Sequence, residues 1–342
     1  MPFRSIVPAF VLLLAAASLA EACTIPVFRY ALDRWEADKF HLLLPAAASK
    51  DAALQDLLRP LRANGKANLD ITTSKDPALT VAELRSSREG TQSLWSGTLD
   101  SPTLTALLDS PARQQVVRGI LAGDSLVWVL ADSGSAQDDA EAARIEKRLK
   151  FLEQVAALPI QDPNDPDSRL GPGPPLKLKF TLLRLRRDDP AEKILLRMLA
   201  GPQEKTKLDP ATTSFAAVVF GKGRVLGAWP LGDLDDRALE ETTMFLVGRC
   251  SCRLKTENPG WDLLLNVDWE SALRASGGGA SDSPELQNIP SSSSGPVPET
   301  VTIEAVPEST SMLPREYGGV SWIALGGVGV AALAVLFFGF RR

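Results

Sequence analysis

The chain contains little histidine and little cysteine. Among its 342 residues there is one histidine, His41, and there are three cysteines. A Ser–His–Asp triad, a three-histidine zinc centre or a Cys–His pair would have to be built around His41, which stands in the apolar run FHLLL, where a packed histidine is the ordinary case. Histidine-based catalysis and zinc chemistry are therefore disfavoured, and no motif for binding a cofactor is present.

The chain also lacks an excess of one charge. It has 37 lysines and arginines against 42 aspartates and glutamates, for a formal net charge of −5. The two most charged runs, RLRRDDP and RIEKRLK, mix both signs instead of presenting a basic face. Nucleic-acid binding is therefore disfavoured as well.

Long apolar runs occur only at the two ends. The first 22 residues have one basic residue, then an apolar stretch, and they close with Ala20-Glu21-Ala22. This pattern predicts a secretory signal peptide (residues 1–22) that is cleaved before Cys23. Lipidation of Cys23 is the alternative, although alanine at Ala20 is not the large aliphatic residue that such processing prefers.

The other end predicts a membrane anchor. Residues 320–340 carry no charge, and about 21 helical residues span a hydrocarbon core of ~30 Å. Arg341 and Arg342 follow, so the positive-inside rule places a short tail (341–342) in the cytoplasm. Together the two ends predict a single-pass membrane protein whose body lies outside the cytoplasm.

Between body and anchor the composition changes. Residues 272–319 are rich in serine, glycine and proline and nearly free of aromatic residues. Such a segment cannot bury enough apolar surface to fold, so it predicts a disordered linker.

The body contains a weak internal repeat. Residues 82–110 and 216–246 each predict a strand, a polar turn, a second strand with tryptophan, and an amphipathic helix. In the later copy, SFAAVVF and RVLGAW flank GKG, which is a strong hairpin signal. The helix that follows is expected to open at Asp233 or Asp235. A strand–helix–strand pattern precedes each hairpin, beginning with FHLLL in one copy and SLVWVLADSG in the other.

This order of elements resembles the thioredoxin-like fold, most clearly over residues 126–247. The resemblance implies an α/β protein with two tandem thioredoxin-like domains, residues 23–115 and 116–271, each a mixed sheet flanked by helices. A redox-active thioredoxin carries Cys-x-x-Cys where the first strand meets the first helix. The corresponding stretches here, LLLPAAASKD (42–51) and ADSGSAQDD (131–139), contain no cysteine, and Thr213-Ser214 stands where a cis-proline is expected. The resemblance therefore implies the fold without its dithiol.

The whole chain also resembles a group of exported, membrane-tethered bacterial proteins that has no established activity. The matching stretches are CTIPVFRYALDRW, GILAGDSLVWVLADSG and CSCRLKTENPGWDLLLNVDW. This resemblance implies a location in the bacterial cytoplasmic membrane, with the body in the periplasm.

The three cysteines are the remaining candidates for chemistry. An exported compartment favours disulfides, and an odd number leaves one thiol over. Cys23 pairing with Cys250 or Cys252 would make a structural staple, which is the interpretation we favour. Cys250 and Cys252 pairing across Ser251 would make a strained, reducible ring, and the thiols binding a soft metal such as copper is a third arrangement.

Two tryptophans follow the cysteine pair, Trp261 and Trp269. They are expected either to pack on the body or to form an aromatic patch for a protein partner. Taken together, the sequence favours a non-enzymatic binding or scaffold protein that holds a partner in the cell envelope. The rival is a thiol–disulfide oxidoreductase that uses Cys250 and Cys252.

Overall fold

The structure is a computed structural model that describes residues 24–86, 93–161, 166–202, 206–250, 254–277 and 300–303. In these residues the chain is an α/β fold with two mixed sheets and flanking helices. The predicted signal peptide, membrane anchor and cytoplasmic tail lie outside them. Of the helices that are described, none is long and apolar enough to cross a membrane.

The first sheet has four strands, which are β1 (Phe40–Leu44), β2 (Leu69–Thr73), β3 (Ala82–Arg85) and β4 (Ser93–Gly97). Their spatial order is β2-β1-β3-β4. β1 pairs in parallel with β2 and antiparallel with β3, which pairs antiparallel with β4. The predicted strand FHLLL is confirmed as β1, and its residues alternate between buried and half-buried because only one face of this strand is fully covered.

The second sheet contains β5 (Leu126–Asp132), β6 (Phe180–Arg186), β7 (Phe215–Phe220), β8 (Arg224–Pro230), β9 (Trp261–Asp262) and β10 (Thr300–Ile303). Their order is β10-β6-β5-β7-β8-β9. The hairpin predicted from GKG is confirmed between β7 and β8. Gly221 and Gly223 have φ angles of +58° and +91°, which glycine adopts without strain. Every residue of β5 and β7 is buried, so both faces of the sheet are covered.

The four central strands of the second sheet repeat the arrangement of the first. β5 pairs in parallel with β6 and antiparallel with β7, and β7 pairs antiparallel with β8. Strand order and strand direction therefore agree between the two sheets. This agreement is compatible with two copies of one supersecondary unit, as the internal repeat predicts.

The helices are α1 (Val27–Arg34), α2 (Ala52–Asn64), α3 (Ser101–Leu108), α4 (Pro111–Leu121), α5 (Ala136–Val155), α6 (Lys193–Ala200), α7 (Asp236–Val247) and α8 (Trp269–Gly277). Five of them begin at a side-chain cap that accepts a hydrogen bond from a backbone N–H of the first turn. The capping residues are Asp51, Asp100, Ser110, Ser135 and Asp235. The predicted start of α7 is thus confirmed at the second of its two candidates.

Two apolar clusters cover opposite faces of the second sheet. One cluster includes Val127 and Val129 and continues through α6 into the covered face of the first sheet. The other includes Trp128 and packs beneath α1, α5 and α7. The alternation along β5 distributes neighbouring residues between the two clusters. The two sheets therefore share one core, and the second sheet has a further core of its own.

The ends of the body pack away from their neighbours in sequence. α1 contributes to the second-sheet cluster, and the Val27 N–H donates to the Gly248 carbonyl at 3.0 Å. Conversely, the Asn68 amide beside β2 donates to the Leu263 carbonyl at 3.0 Å and accepts from the Leu265 N–H at 2.8 Å. The segments predicted as domains 23–115 and 116–271 are thus interlocked at both ends.

Two boundaries differ from the expectation. The predicted junction between residues 115 and 116 falls inside α4. This helix begins earlier because Ser110 caps it and Pro111 occupies its first position. α8 continues to Gly277, inside the predicted linker 272–319, since Leu273 is buried in the shared core. β10 also lies within that linker and pairs antiparallel with β6.

Candidate functional site

The turn between β5 and α5 is the place where the resemblance would put a dithiol. β5 ends at Asp132, the chain turns through Ser133 and Gly134, and the Ser135 hydroxyl accepts a hydrogen bond from the Asp138 N–H at 3.2 Å. Gly134 has a φ angle of +73°, and a Cβ there would lie 1.5 Å from Nη1 of Arg186. The turn therefore depends on glycine at this position.

A buried carboxylate holds this turn together. The Asp138 carboxylate accepts hydrogen bonds from the Ser133 N–H at 2.8 Å, from the Ser133 hydroxyl at 2.5 Å and from the Ser214 hydroxyl at 2.8 Å. Burial by itself would raise the pKa of Asp138, but the hydrogen bonds from Ser133 and Ser214 outweigh it and hold the pKa below its usual value. Asp138 thus joins the β5–α5 turn to the residue just before β7.

Ion pairs fill the space beside it. Asp132 is buried at the end of β5, and its carboxylate lies 2.9 Å from Nη2 of Arg184 and 3.7 Å from Nη1 of Arg186, both on β6. Nη2 of Arg184 also lies 2.6 Å from Asp139. The pairs cross from strand to strand, so they form only when the parallel β5–β6 register is in place.

This cluster offers hydrogen bonding but no activated nucleophile. Each serine hydroxyl donates to a carboxylate whose lowered pKa makes it a weak base, and activation of serine requires a base that can take its proton. His41 lies on β1, in the other sheet. The cluster therefore joins the β5–α5 turn to the residue before β7 through hydrogen bonds.

A cavity of about 680 Å³ lies between the edge strand β4 of the first sheet and helix α6 of the second. Its volume falls within the range of ~300–1,000 Å³ that is typical of ligand sites. Nη1 of Arg197 on α6 donates to the Leu94 carbonyl at 2.8 Å, which fixes the helix to the edge strand. The lining residues are Ser93, Leu94, Arg187, Asp188, Asp189, Pro190, Lys193, Leu196, Arg197, Asp209, Pro210 and Ala211.

The cysteine region lies away from both features. Cys250 is 1% exposed and belongs to the cluster beneath α1 and α7. Its N–H donates to the Ile25 carbonyl at 3.0 Å, and Pro26 forms an antiparallel bridge with Arg249. Cys23 and Cys252, the other two predicted disulfide or redox residues, lie outside the described residues.

The two predicted partner-binding tryptophans are both half-buried and pack against the shared core. The Trp261 indole N–H donates to the Met198 carbonyl at 2.7 Å, and its ring lies so close to Gly201 that a Cβ there would be 2.2 Å from it. Trp269 is the first residue of α8. These contacts account for Trp261 structurally, and the partner-binding interpretation stays a prediction.

A buried cation beside the cysteine region escaped the sequence reasoning. Arg224 is 2% exposed, and its guanidinium donates to Asp262 at 3.2 Å and to the carbonyls of Asn258 and Pro259 at 2.9 and 3.1 Å. The same guanidinium lies 5.5 Å from the Trp35 ring centroid. Arg224 directly follows the hairpin turn. The pattern GKGR indicates a turn, but it does not indicate that Arg224 anchors the segment after Cys250.

A buried glutamate lies near the start of β6. Oε1 of Glu153, at the end of α5, accepts a hydrogen bond from the Phe180 N–H. Burial raises the pKa of Glu153 to about 7, although that hydrogen bond and nearby Lys179 act in the opposite direction. This carboxyl group therefore titrates close to neutral pH.

Comparison with family models, characterised proteins and solved structures finds no match to this chain. Within the residues described, no three histidine, cysteine or acidic side chains are grouped so as to hold a metal ion. The fold and site therefore define an α/β protein with two like-ordered mixed sheets, an ion-paired β5–α5 turn and a cavity between the sheets.

Proposed function

We propose that the protein is a membrane-anchored, extracytoplasmic binding or scaffold protein built from two thioredoxin-like domains that lack a catalytic dithiol. The observation that carries this proposal is the β5–α5 turn. The residues there are Asp132, Ser133 and Asp138, and their side chains are engaged in hydrogen bonds and ion pairs within the protein. The shared strand order of the two sheets supports the thioredoxin-like assignment.

Binding is the function that the remaining geometry favours. The cavity between β4 and α6 is large enough for a segment of a partner, and it lies at the junction of the two sheets. The predicted signal peptide, linker and anchor would hold this cavity outside the cytoplasmic membrane, within reach of other envelope proteins.

In this proposal the cysteines form a structural disulfide that joins Cys23 to Cys250 or Cys252. The Cys250 N–H donates to the Ile25 carbonyl at 3.0 Å, and this contact supports the proposal because it holds the end of the body beside its first residues.

The rival redox function is less well supported by the geometry. An attacking thiolate must be accessible to its substrate, whereas Cys250 is 1% exposed beneath α1 and α7. Copper delivery through Cys250 has the same difficulty, because a transferred ion must reach its ligand.

The test combines an activity assay with disulfide mapping of the full-length protein from its native membrane. We expect no reduction or oxidation of a model disulfide above the uncatalysed rate, and a bridge from Cys23 to Cys250 or Cys252 in the peptide map. The variant Ser133→Cys/Ala136→Cys, which restores Cys-x-x-Cys to the β5–α5 turn, serves as a positive control for the assay. Turnover by the wild-type protein that disappears in Cys250→Ser would contradict the proposal and favour the oxidoreductase.

A further inference from the structure

We propose that the cavity between β4 and α6 binds an acidic, extended peptide segment of a partner protein. This inference rests on the proposed binding function and names the chemistry of the partner. It follows from how the charges of the cavity are partnered, from its apolar residues and from the edge strand that forms one wall.

The cavity has three cations, and among the described residues none of them lies within ion-pair distance of a carboxylate. Nη1 of Arg197 donates to the Leu94 carbonyl, and Nη1 of Arg187 donates to the Thr212 carbonyl. Lys193 is exposed, and within the described residues its ammonium group has no hydrogen bond or ion pair. Lys193 and Arg197 are four residues apart on α6 and therefore lie on one face of the helix.

The cavity also has three carboxylates, but these are already engaged locally. Asp188 lies 3.2 Å from Nε of Arg186. Asp189 and Asp209 each accept a hydrogen bond from the backbone N–H two residues later, at 2.9 and 3.0 Å. Each carboxylate therefore has a hydrogen-bond or ion-pair partner, whereas Lys193 has none within the described residues. The unmet interaction in the cavity is that of a cation with an anion.

The rest of the lining suits a peptide better than a small acid. Leu94 and Leu196 are buried, and Pro190 and Pro210 add apolar surface around the cations. β4 is an edge strand that pairs with β3 alone within the described sheet. An edge strand presents main-chain groups to which an extended chain can add hydrogen bonds. The Leu94 carbonyl already accepts from Arg197, so the other main-chain groups of β4 would pair with the partner. A segment that alternates acidic and apolar side chains would satisfy all of these features.

The experiment measures binding to full-length protein in detergent by fluorescence anisotropy. The probe is a labelled ten-residue peptide, EVEVEVEVEV, and its counterpart is KVKVKVKVKV. We expect the acidic probe to bind and the basic probe not to bind. Because charge contacts at exposed positions are screened, affinity should fall as sodium chloride rises from about 50 to about 500 mM.

Lys193→Glu is the decisive variant, because Lys193 is exposed and without a partner among the described residues, so the fold should tolerate the change. We expect it to weaken binding of the acidic probe by about fivefold or more, as for loss of one exposed charge contact. Lys50→Glu is the matched control: this lysine is also exposed but lies at the end of the turn after β1, and the variant should bind as the wild type does.

Several outcomes would overturn the inference. These are equal binding of the two probes, no binding of the acidic probe, equal effects of Lys193→Glu and Lys50→Glu, or displacement of the probe by free glutamate as effectively as by unlabelled peptide. None of them bears on the redox assay. Failure here with no disulfide turnover would leave the binding function in place with a different ligand, whereas turnover by wild-type protein would remove the binding function itself.

Discussion

The two sheets have the same strand order but are covered differently. All seven residues of β5 are buried, because α1, α5 and α7 cover one face and the shared core covers the other. In β1 the residues alternate between buried and half-buried, because one face meets the shared core and the other is only partly covered. Strand order therefore follows from connectivity, whereas the burial of each strand follows from the helices available to cover it.

This difference predicts unequal contributions to stability. A strand buried on both faces removes apolar surface from water at every position, and a strand covered on one face does so at every second position. Replacing one tryptophan in each sheet should reveal this inequality.

The largest expected difference in stability is between loss of a tryptophan in the second sheet and loss of one in the first. Trp128 on β5 is 0% exposed and lies 6.0 Å from Trp229 between ring centroids, whereas Trp95 on β4 is half-buried. Trp128→Ala should lower the free energy of unfolding by about 3–5 kcal/mol. Trp95→Ala should lower it by about 1–2 kcal/mol, because less apolar surface is lost.

Urea denaturation followed by circular dichroism measures both variants under identical conditions. A lower midpoint urea concentration for Trp128→Ala than for Trp95→Ala, with a similar dependence of the free energy of unfolding on urea, would support unequal coverage of the two sheets. Equal destabilisation by the two substitutions would show that the first sheet is as fully covered as the second.

A smaller effect is expected at the start of the first helix of each repeat. Asp138→Ala leaves the Ser133 N–H and two serine hydroxyls without their acceptor, so we expect a loss of about 2–3 kcal/mol. Asp51→Ala removes a single exposed cap on the Leu54 N–H and should cost about 1 kcal/mol. Thermal unfolding of both variants tests this ranking, and a greater loss at Asp51 would reverse it.

A third effect is a pH dependence of stability that comes from Glu153, beside the second sheet. The pKa of Glu153 is raised to about 7 in the folded protein, so the folded state binds more protons than the unfolded state between the ordinary glutamate pKa and that value. The stabilising contribution of Glu153 to the free energy of unfolding is therefore fully present at low pH, and it is lost as the pH rises through about 7.

Glu153→Gln should remove this part of the pH dependence, because glutamine retains an acceptor for the Phe180 N–H and does not ionise. Denaturation midpoints from about pH 5 to about pH 8 provide the measurement. A wild-type profile that coincides with that of Glu153→Gln would show that Glu153 does not titrate in this range.

Much of the fold can be predicted from local signals. FHLLL and the GKG hairpin are confirmed because strand and turn preferences act over a few residues. α4 was missed as a separate helix, although Ser110-Pro111 is a recognisable start. The contacts of Asn68 with Leu263 and Leu265 could not be predicted, because no local sequence pattern connects residues so far apart in the chain.

The candidate site was less predictable than the fold. The sequence shows directly that residues 131–139 contain no dithiol, but it does not show which contacts take the place of the dithiol. Asp132 meets Arg184 across a parallel strand pair, and Ser214 reaches Asp138 from another loop, so both contacts depend on tertiary packing. The cavity is likewise formed by one strand of the first sheet and one helix of the second.

Each end of the body packs against residues that are distant in the sequence, and this has a consequence for how the protein is made. α1 emerges early in synthesis, yet the partners of Val27 and Ile25 are Gly248 and Cys250, more than 200 residues later. The first sheet in turn awaits Leu265 to satisfy Asn68. Neither half can complete its packing before nearly the whole body has been synthesised, and such distant contacts slow folding. The growing chain therefore exposes apolar surface until late in its synthesis.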